Sequence, residues 1–404
     1  MENTLSIIIP AYNEEDGIAE IIERVLAIRP QLAEVGVQDM ELLVVDDGSK
    51  DKTVQIAGGY PDVRLIRHTV NQGYGAALKT GFSRARGNLL GFLDADSTYP
   101  PEYFPALCKA ALEDGADLVV GSRMLGAKSE MPLVRRVGNF IFANLVSLVG
   151  RQHISDSASG MRVIRREALE RLYPLPDGLN FTPVMSTRAL HEEIKWQEVA
   201  IPYRERAGRS KLSVIEDGMR FLQTIIWTAL TYNPVRILGG VGLALIVVAA
   251  VMALIIVGQR LSGVTSLDAW GIISLIFGGL CAVSGVTLFA LGATFNYLVS
   301  LFYNRPIRQG LFGKPMFKQP LERHFGWAGV LTMVVGLVAG LVSFILALGG
   351  WPIERLWLYL VGAMMMVLLG LQLFVFRLII GVLDELRHHE THVAQDLEGW
   401  PCQE

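Results

Sequence analysis

Cysteine is scarce in this chain. Its 404 residues include three cysteines, Cys108, Cys281 and Cys402, which stand far apart in the sequence. A disulfide framework needs an even set of spaced cysteines, and a structural zinc site needs cysteines or histidines at short spacing. The sequence therefore predicts neither kind of site. Its seven histidines form no cluster that would indicate catalysis.

An excess of basic residues is also absent. The 36 lysines and arginines are balanced by 39 acidic residues, which gives a formal net charge of −3. Proteins that bind nucleic acid are usually strongly basic, so no nucleic-acid partner is expected. The first residues, MENTLSIIIPAYNEE, contain no basic segment and only a short apolar run. They are therefore not predicted to be a secretory signal peptide.

Long hydrophobic runs, by contrast, dominate the second half of the chain. Hydrophobic residues make up 51% of the sequence and charged residues 19%, which is too apolar for an ordinary soluble protein. Four stretches exceed the ~20 residues that cross a bilayer; they are about 235–258, 270–300, 326–350 and 356–382. We predict a four-helix membrane domain over 233–384 and a tail over 385–404. No internal repeat is obvious, although two hairpins of similar size could form one.

The charges between the predicted spans indicate their orientation. The loop between the second and third spans contains one acidic residue, Glu322, and the basic residues Arg305, Arg308, Lys314, Lys318 and Arg323. The other two loops each contain one basic and one acidic residue. By the positive-inside rule the basic loop is cytoplasmic. We therefore predict a multi-pass membrane protein with both termini, and everything before the first span, in the cytoplasm.

The first half alternates short apolar strands with helical segments. This alternation predicts an α/β domain with a mostly parallel sheet, over about residues 1–210. In such sheets ligands bind beyond the carboxyl ends of the strands. Asp46, Asp47, Asp94 and Asp96 follow the second and fourth predicted strands. We expect a ligand site there, although Asp46 alone is also typical of a helix cap.

Residues 211–232 connect the two halves. Ile215, Met219, Ile226 and other apolar residues recur there at helical spacing, with charged residues on other faces. An amphipathic helix before a span often lies in the plane of the membrane interface. We predict such a helix, and a helix packed on the α/β domain is the alternative.

Asp94 and Asp96 are candidate metal ligands. Two carboxylates this close repel each other unless a cation lies between them. Mg²⁺ and Mn²⁺ prefer oxygen ligands, and Mg²⁺ commonly bridges one or two carboxylates to substrate phosphates. A helix cap or a solvated turn is the alternative for this motif taken alone.

Further motifs accompany this pair in a characteristic order, namely IIIPAYNEE, VVDDGSKDKT and NQGYGAALKTGF. The combination resembles family 2 glycosyltransferases of GT-A fold, and among them the polyprenyl-phosphate glycosyltransferases similar to dolichyl-phosphate mannose synthase. The resemblance covers about residues 4–230. It implies transfer of a hexose, with inversion, from a nucleotide-sugar of the GDP-mannose or UDP-glucose type to a membrane polyprenyl or dolichyl phosphate. The four spans resemble the tail of some members of that group.

The resemblance implies a role for each matching position. The nucleotide-sugar would be bound by Pro10, Ala11, Tyr12, Glu14, Asp47, Asn71, Gly73, Asp94, Arg206 and Lys211. The catalytic residues would be Asp94, Asp96 and Asp156, with Mg²⁺ or Mn²⁺ held by the first two. The acceptor phosphate would be bound by Arg123, Arg135, Asn139, Ser159 and Arg162, with Arg136 as a substitute for Arg135.

The chain departs from the family pattern in three places. Thr98 stands where members often have a glutamine as third metal ligand, and Met161 replaces an aromatic residue. Glu205 stands where an arginine is usual, between Arg204 and Arg206, so the arginine that contacts the diphosphate stays open. A basic patch that meets anionic headgroups is the alternative for this segment.

The implied chemistry needs no strong base, because a phosphate monoester has its second pKa at ~6 and is already an anion near neutral pH. A processive polysaccharide synthase is one alternative, but the chain lacks the Gln-x-x-Arg-Trp motif and has no span before the α/β domain. A transporter or flippase of lipid-linked sugar is another. Membrane lipids are expected partners, and a homo-oligomer is left open.

Overall fold

The computed structural model describes residues 3–125, 131–150, 152–192, 194–203, 214–264, 268–302 and 324–398. The chain divides into two compact units, Met1–Thr228 and Ala229–Glu404, which we call the α/β unit and the membrane unit. The boundary between the units falls inside a helix, Val214–Tyr232, most of which belongs to the α/β unit, and the predicted domain bounds stay a prediction.

The α/β unit is built on one seven-stranded sheet with the order β3-β2-β1-β4-β6-β5-β7. Its strands are β1 (Thr4–Ala11), β2 (Asp39–Asp46), β3 (Val63–Arg67), β4 (Leu89–Phe92), β5 (Leu118–Ser122), β6 (Arg162–Arg165) and β7 (Trp196–Ala200). All neighbours are parallel except at β6, which is antiparallel to both β4 and β5. The predicted mostly parallel α/β sheet is confirmed.

Helices cover both faces of this sheet. They are α1 (Ile18–Ala27), α2 (Arg29–Glu34), α3 (Thr53–Ala57), α4 (Tyr74–Arg84), α5 (Phe104–Leu112), α6 (Leu133–Val149), α7 (Arg166–Leu172), α8 (Phe181–His191) and α9 (Val214–Tyr232), with a 3₁₀ turn over Pro101–Tyr103. Ile7 and Ile9 pack into the core with α1 and α5, while Ile8 packs into the core with α4 and α8. Because both faces of β1 are buried, the apolar residues Ile7, Ile8 and Ile9 follow one another directly and do not alternate with polar ones.

The antiparallel strand β6 explains how a distant segment reaches the ligand edge of the sheet. Arg162, the first residue of β6, pairs with Phe92 at the end of β4 and with Val120 near the end of β5. The residues just before β6 therefore lie at the carboxyl ends of β4 and β5, next to the segment that contains Asp94.

Two helices of the α/β unit expose apolar side chains. On α6, Leu133, Val137 and Phe140 are 56–76% exposed, which is unusual for such large apolar residues. On α9, Trp227 is exposed, whereas Ile225 is buried in the core of the α/β unit. One face of α9 thus packs on the unit and another stays open; its predicted place in a membrane interface stays a prediction.

The membrane unit consists of long apolar helices. They are α10 (Gly240–Leu261), preceded by a π-helical turn over Val235–Gly239, α11 (Ala269–Phe302), α12 (Phe325–Leu348) and α13 (Ile353–Glu398). Four segments of them are long and apolar enough to cross a membrane: Val235–Leu261, Ala269–Ser300, Phe325–Leu348 and Arg355–Leu386. The four predicted spans are confirmed, and the chain is an integral membrane protein. The basic loop over 305–323 lies outside the described residues.

The two helix pairs of this unit repeat one close contact. A Cβ atom added to Gly285 in α11 would lie 2.9 Å from the carbonyl oxygen of Gly242 in α10. A Cβ atom added to Gly370 in α13 would lie 2.6 Å from the carbonyl oxygen of Gly329 in α12. Small residues let membrane helices approach through their backbones.

The sequences around these contacts also repeat, as GVTLF from Gly285 and GLQLF from Gly370. Their third residues, Thr287 and Gln372, are 85 positions apart, and Gln372 Nε2 donates to Thr287 Oγ1 over 3.1 Å. The two helical hairpins of the membrane unit therefore share one glycine contact and one short sequence pattern.

Candidate functional site

A cavity of about 580 Å³ opens in the α/β unit beside the carboxyl ends of β1, β2 and β4. Most of the residues predicted for the site line it: Pro10, Ala11, Tyr12, Glu14, Asp47, Asn71, Gly73, Asp94, Asp96, Arg123, Arg135 and Asn139. They come from six separate stretches of sequence, which the sheet brings together at one edge. The roles assigned to them individually stay predictions.

The two candidate metal ligands lie on the cavity wall, just beyond β4. Burial, followed by the charge of Asp96, raises the pKa of Asp94 from its ordinary value of 3.8 to about 7. Asp94 Oδ1 accepts a hydrogen bond from the Tyr74 hydroxyl over 2.8 Å. Burial, with Asp94 next, raises the pKa of Tyr74 well above its ordinary value, so this hydroxyl remains a donor.

Glycine is required beside Asp94. A Cβ atom at Gly160 would lie 2.6 Å from Asp94 Oδ2 and 2.8 Å from Oδ1, which is closer than real Cβ contacts come. The Gly160 N–H is held by the hydroxyl oxygen of Tyr99 at 2.8 Å. The segment before β6 therefore closes against the carboxylate, and any larger residue at this position would displace it.

Asp47 is buried and holds the loop that follows β3. Its two carboxylate oxygens accept the backbone N–H groups of Gln72 and Gly73, each over 2.8 Å. One ring nitrogen of His68 lies 2.7 Å from Asp47 Oδ1, and the other lies 2.9 Å from Thr80 Oγ1. Asp47 thus shapes the loop that carries Asn71 and Gly73 besides facing the cavity. The role of His68 beside Asp47 was not predicted from the sequence, because its partners are distant in the chain.

Gly73 turns the chain into α4 with a φ of 105°, a conformation that favours glycine. A Cβ atom here would lie 2.6 Å from the carbonyl oxygen of Asp177. The loop after β3 therefore packs directly on the backbone before α8, which fixes the beginning of α4 at the cavity.

Arg123 lines the cavity and forms a buried ion pair with Asp156, which is not among the lining residues, so the catalytic role of Asp156 stays a prediction. Arg123 Nε lies 2.7 Å from Asp156 Oδ2, and Nη2 lies 2.8 Å from Oδ1. Burial opposes ionisation of Asp156, but the charge of Arg123 and the hydrogen bonds from Arg123 and Asn139 together outweigh it and hold the pKa of this carboxyl below its ordinary value. The guanidinium carbon also lies 5.7 Å from the ring centre of Tyr99 and 5.6 Å from that of Tyr203.

Two further predicted acceptor residues lie on α6. Arg135 Nη1 is 3.5 Å from the hydroxyl of Tyr203. Asn139 is 6% exposed and lies near enough to Asp156 to help lower its pKa. Neither polar atom of its amide makes a hydrogen bond of ordinary length to a described residue. An amide placed in this way can still bind a ligand in the cavity.

Ser159 and Arg162 do not line the cavity. Ser159 Oγ donates to the carbonyl oxygen of Gly121, and Arg162 donates to the carbonyl oxygens of Ser157 and Ser159. Both side chains are fully buried and stabilise the segment before β6. Contact with an acceptor phosphate is not visible in this arrangement, so that role stays a prediction. Arg206 and Lys211 lie outside the described residues.

The cavity has an apolar side that the sequence analysis did not specify. It is lined by Met131, Val134, Phe142, Leu179 and Phe221, together with the smaller residues Gly138 and Gly218. The rings of Phe142 on α6 and Phe221 on α9 meet at 6.1 Å. The apolar sequence of α6 is a signal for such a surface, but sequence spacing alone could not place α9 beside it.

The carboxylate pair fits a divalent cation. Asp94 and Asp96 supply oxygen ligands from one side of the cavity, and a cation between two like charges this close would offset their repulsion. Within the described residues no group of three or more acidic, histidine or cysteine side chains could complete a protein cage. A cation here would draw its other ligands from substrate phosphates and water, as Mg²⁺ commonly does.

Comparison with known sequences agrees with this architecture. The family model described as Glycosyl transferase family 2 matches residues 6–173, and one described as Domain of unknown function (DUF8752) matches residues 234–394. The chain is 30% identical over 395 residues to the low-salt glycan biosynthesis hexosyltransferase Agl6 of Haloferax volcanii, which covers 95% of this chain and 89% of that protein.

Two other relatives match a shorter part. The undecaprenyl-phosphate 4-deoxy-4-formamido-L-arabinose transferase of Photorhabdus laumondii is 33% identical over 294 residues, covering 71% of this chain and 82% of the relative. The dolichyl-phosphate hexose transferase of Haloferax volcanii is 32% identical over 222 residues, covering 55% of this chain and 92% of the relative.

Among solved structures, glucosyl-3-phosphoglycerate synthase from Mycobacterium tuberculosis matches 56% of this chain and 78% of that chain, with 23% identity and a TM-score of 0.46.

Three observations point to the same family: the sequence motifs, the mostly parallel sheet and a relative that matches nearly the full length of the chain. The chain belongs to glycosyl transferase family 2, with a GT-A catalytic domain followed by four membrane-spanning helices.

Proposed function

We propose that this protein transfers a hexose or similar sugar from a nucleotide-sugar to a polyprenyl phosphate in the membrane. The observation that carries the proposal is the composition of one cavity. At one side it has a carboxylate pair and the loops of a parallel sheet, and at the other it has apolar side chains from α6 and α9. One cavity can therefore accept a charged donor and a lipid-linked acceptor.

The polar side suits the donor. Its loops after β1, β2 and β3 are tied together by hydrogen bonds, such as Asn13 N–H to Ser49 Oγ and Glu14 N–H to Thr53 Oγ1, each over 2.9 Å. Asp94 and Asp96 would hold Mg²⁺ or Mn²⁺ on the diphosphate. The bound cation would offset the charge that develops on the leaving diphosphate.

The apolar side suits the acceptor. Arg123 and Arg135 line the cavity beside the apolar residues of α6, where a phosphate at the end of a lipid chain would lie. In the ion pair with Asp156, Arg123 donates through Nε and Nη2. Its Nη1 is therefore the part of the guanidinium that would bind this phosphate. The exposed apolar side chains of α6 provide a surface that can enter a membrane interface.

The names of relatives support this assignment. They include a dolichyl-phosphate hexose transferase and undecaprenyl-phosphate sugar transferases, whose acceptors are polyprenyl phosphates by name. The reaction is a single displacement. An oxygen of the acceptor phosphate forms a bond to the anomeric carbon, the bond from that carbon to the diphosphate breaks, and the electron pair leaves with the nucleoside diphosphate. One displacement inverts the configuration at the sugar carbon.

A panel of labelled nucleotide-sugars offered to the purified chain with a polyprenyl phosphate tests the proposal. We expect one donor to yield organic-extractable label, EDTA to stop transfer, and Asp96→Ala to abolish it in a folded protein. A water-soluble polymer would indicate a processive synthase instead. Lipid-linked sugar that moves across vesicles without any transfer would indicate a flippase.

We also propose that both termini and the α/β unit are cytoplasmic, on the basis of the basic loop over 305–323. Single cysteines introduced at Ser266 and Gln309, in a chain without native cysteines, test this orientation. A membrane-impermeant reagent added to intact cells should label the first site and not the second. The reverse pattern would place the catalytic domain away from cytoplasmic nucleotide-sugars.

A further inference from the structure

Each carboxylate of the candidate metal pair has its own hydroxyl donor. The Tyr74 hydroxyl donates to Asp94 Oδ1 over 2.8 Å. The Thr98 hydroxyl donates to Asp96 Oδ1 over 2.6 Å, and the Thr98 N–H reaches the same oxygen at 3.2 Å. The two donors come from different parts of the fold, since Tyr74 begins α4 and Thr98 follows β4.

Both donors are fixed by their surroundings. Tyr74 follows Gly73, whose backbone N–H is held by Asp47 at 2.8 Å and whose turn packs on the segment before α8. Thr98 is 3% exposed. Neither hydroxyl can therefore move away from its carboxylate without disturbing buried structure.

Such donors matter more here than in a closed metal cage. The torsion that turns a carboxylate about its own axis is broad, so an aspartate does not hold its plane by itself. No larger group of acidic, histidine or cysteine side chains is available in the described part of the chain. The position of a cation would thus depend on two carboxylate planes, and these depend on the hydroxyls that bond them.

We propose that Tyr74 and Thr98 are positioning residues for a divalent-cation site, in which their hydroxyls fix the carboxylates of Asp94 and Asp96. This inference rests on the proposed function, since the cation is the one that would accompany the donor diphosphate. It also gives Thr98 a role at a position where members of the family often have a direct metal ligand. Thr98 orients a ligand and is not itself one.

Two substitutions remove one hydroxyl each and keep the size of the side chain: Tyr74→Phe and Thr98→Val. The matched control is Tyr60→Phe, because the Tyr60 hydroxyl also donates to a carboxylate, Glu23 at 2.9 Å, but lies outside the cavity. Mn²⁺ binding to the full-length chain in detergent is measured by electron paramagnetic resonance, without nucleotide and with UDP or GDP at one fixed concentration.

We expect each cavity substitution to weaken Mn²⁺ binding about tenfold or more, as loss of a bond to a metal ligand typically does. Tyr60→Phe should bind Mn²⁺ like the unsubstituted protein. In transfer assays the two variants should need more Mn²⁺ for half-maximal rate, and excess Mn²⁺ should restore most of the maximal rate. Thermal unfolding of all three variants should match the unsubstituted protein, which separates positioning from a general loss of fold.

Unchanged Mn²⁺ affinity in both variants overturns the inference, and transfer lost at every Mn²⁺ concentration would mean that these hydroxyls act on the substrate. Absence of Mn²⁺ binding in the unsubstituted protein, with and without nucleotide, also overturns it. Failure of the proposed function looks different: Mn²⁺ would bind in a manner that depends on Tyr74, but no sugar would reach a polyprenyl phosphate.

Discussion

In the α/β unit charges and directed hydrogen bonds join the parts that meet at the cavity, whereas in the membrane unit α10 packs on α11, and α12 on α13, through glycine. Asp156 and Arg123 link the segment before β6 to the end of β5 by a bidentate ion pair. The corresponding contacts in the membrane unit are the close approaches of Gly242 to Gly285 and of Gly329 to Gly370.

This difference follows from the solvent around each unit. Water drives apolar residues into the core of the α/β unit, so polar groups at its site need dedicated partners. Lipid is as apolar as leucine and provides no such driving force between helices, so close packing of backbones takes its place. Glycine consequently has two uses in one chain: at Gly160 it leaves room for a carboxylate, and at Gly370 it leaves room for a helix.

The largest effect is expected from Asp156→Ala, which leaves Arg123 buried without its partner. Removing one member of a buried ion pair typically costs about 3–5 kcal/mol. Unfolding of the α/β unit, followed by differential scanning fluorimetry in detergent, should move to much lower temperature. The membrane unit contains no part of this pair, so its resistance to proteolysis should not change. Loss of both would contradict the separation of the two units.

The same pair predicts a dependence on pH. Because Arg123 holds the pKa of Asp156 below its ordinary value of 3.8, the carboxylate stabilises the folded state fully above pH 3.8. That contribution is lost as the pH falls from there through the folded pKa. The gap in unfolding temperature between the unsubstituted protein and Asp156→Ala should therefore be constant near neutral pH and narrow in strong acid. A gap that grows on acidification would contradict this.

Gly160→Ala should remove activity with less loss of stability. The added Cβ would press on both oxygens of Asp94, at 2.6 and 2.8 Å, so the carboxylate must turn. A displacement of about 1 Å at a catalytic group can cost ~100-fold in rate. The measurement is the transfer rate at saturating Mn²⁺ beside the unfolding temperature. A fully active Gly160→Ala enzyme would show that Asp94 tolerates displacement.

The sequence predicted the fold class, the four spans and the charged residues of the cavity wall, because apolar periodicity and motif order depend on nearby residues. It could not predict which side chains hold the site together. His68 reaches Asp47 across 21 positions, and Tyr74 reaches Asp94 across 20 positions between different parts of the sheet. Such pairs appear only when the order of the strands is known.

The glycine contacts of the membrane unit were equally hard to predict from the sequence. Hydropathy reveals spans but is nearly uniform along them, so GVTLF and GLQLF carry little signal among so many apolar residues. The contacts of Gly285 and Gly370 distinguish them from glycines that have open space around them. Gly362, also in α13, has open space around an added Cβ and marks a position where glycine is not needed for packing.

Gly370→Ala should loosen the second hairpin of the membrane unit. Its Cβ would lie 2.6 Å from both the Gly329 carbonyl oxygen and the Met333 nitrogen, and overpacking of this kind typically costs about 1–3 kcal/mol. Gly362→Ala is the matched control and should be neutral or slightly stabilising. Unfolding is followed by titration with a denaturing detergent. Equal effects of both substitutions would mean that close approach at Gly370 is not what holds the hairpin.

Native cysteines offer the finest comparison of the two units, with the smallest expected shifts. Cys108 is fully buried in α5, where burial raises the pKa of its thiol to about 12, and Cys281 is 4% exposed in α11. Neither should react with a thiol reagent at pH 8 in the folded protein, once Cys402 has been replaced by serine.

As denaturant is added, Cys108 should become reactive when the α/β unit unfolds, and Cys281 should become reactive when the membrane unit unfolds. The Cys108→Ala variant shows which of the two signals belongs to which cysteine. Asp156→Ala should advance only the reaction of Cys108. Gly285→Ala, which crowds α11 against α10, should advance only that of Cys281, by a modest amount because its closest contact is 2.9 Å. If either substitution advances both cysteines equally, the chain unfolds as one cooperative body and the difference in how its units are held together does not extend to their stability.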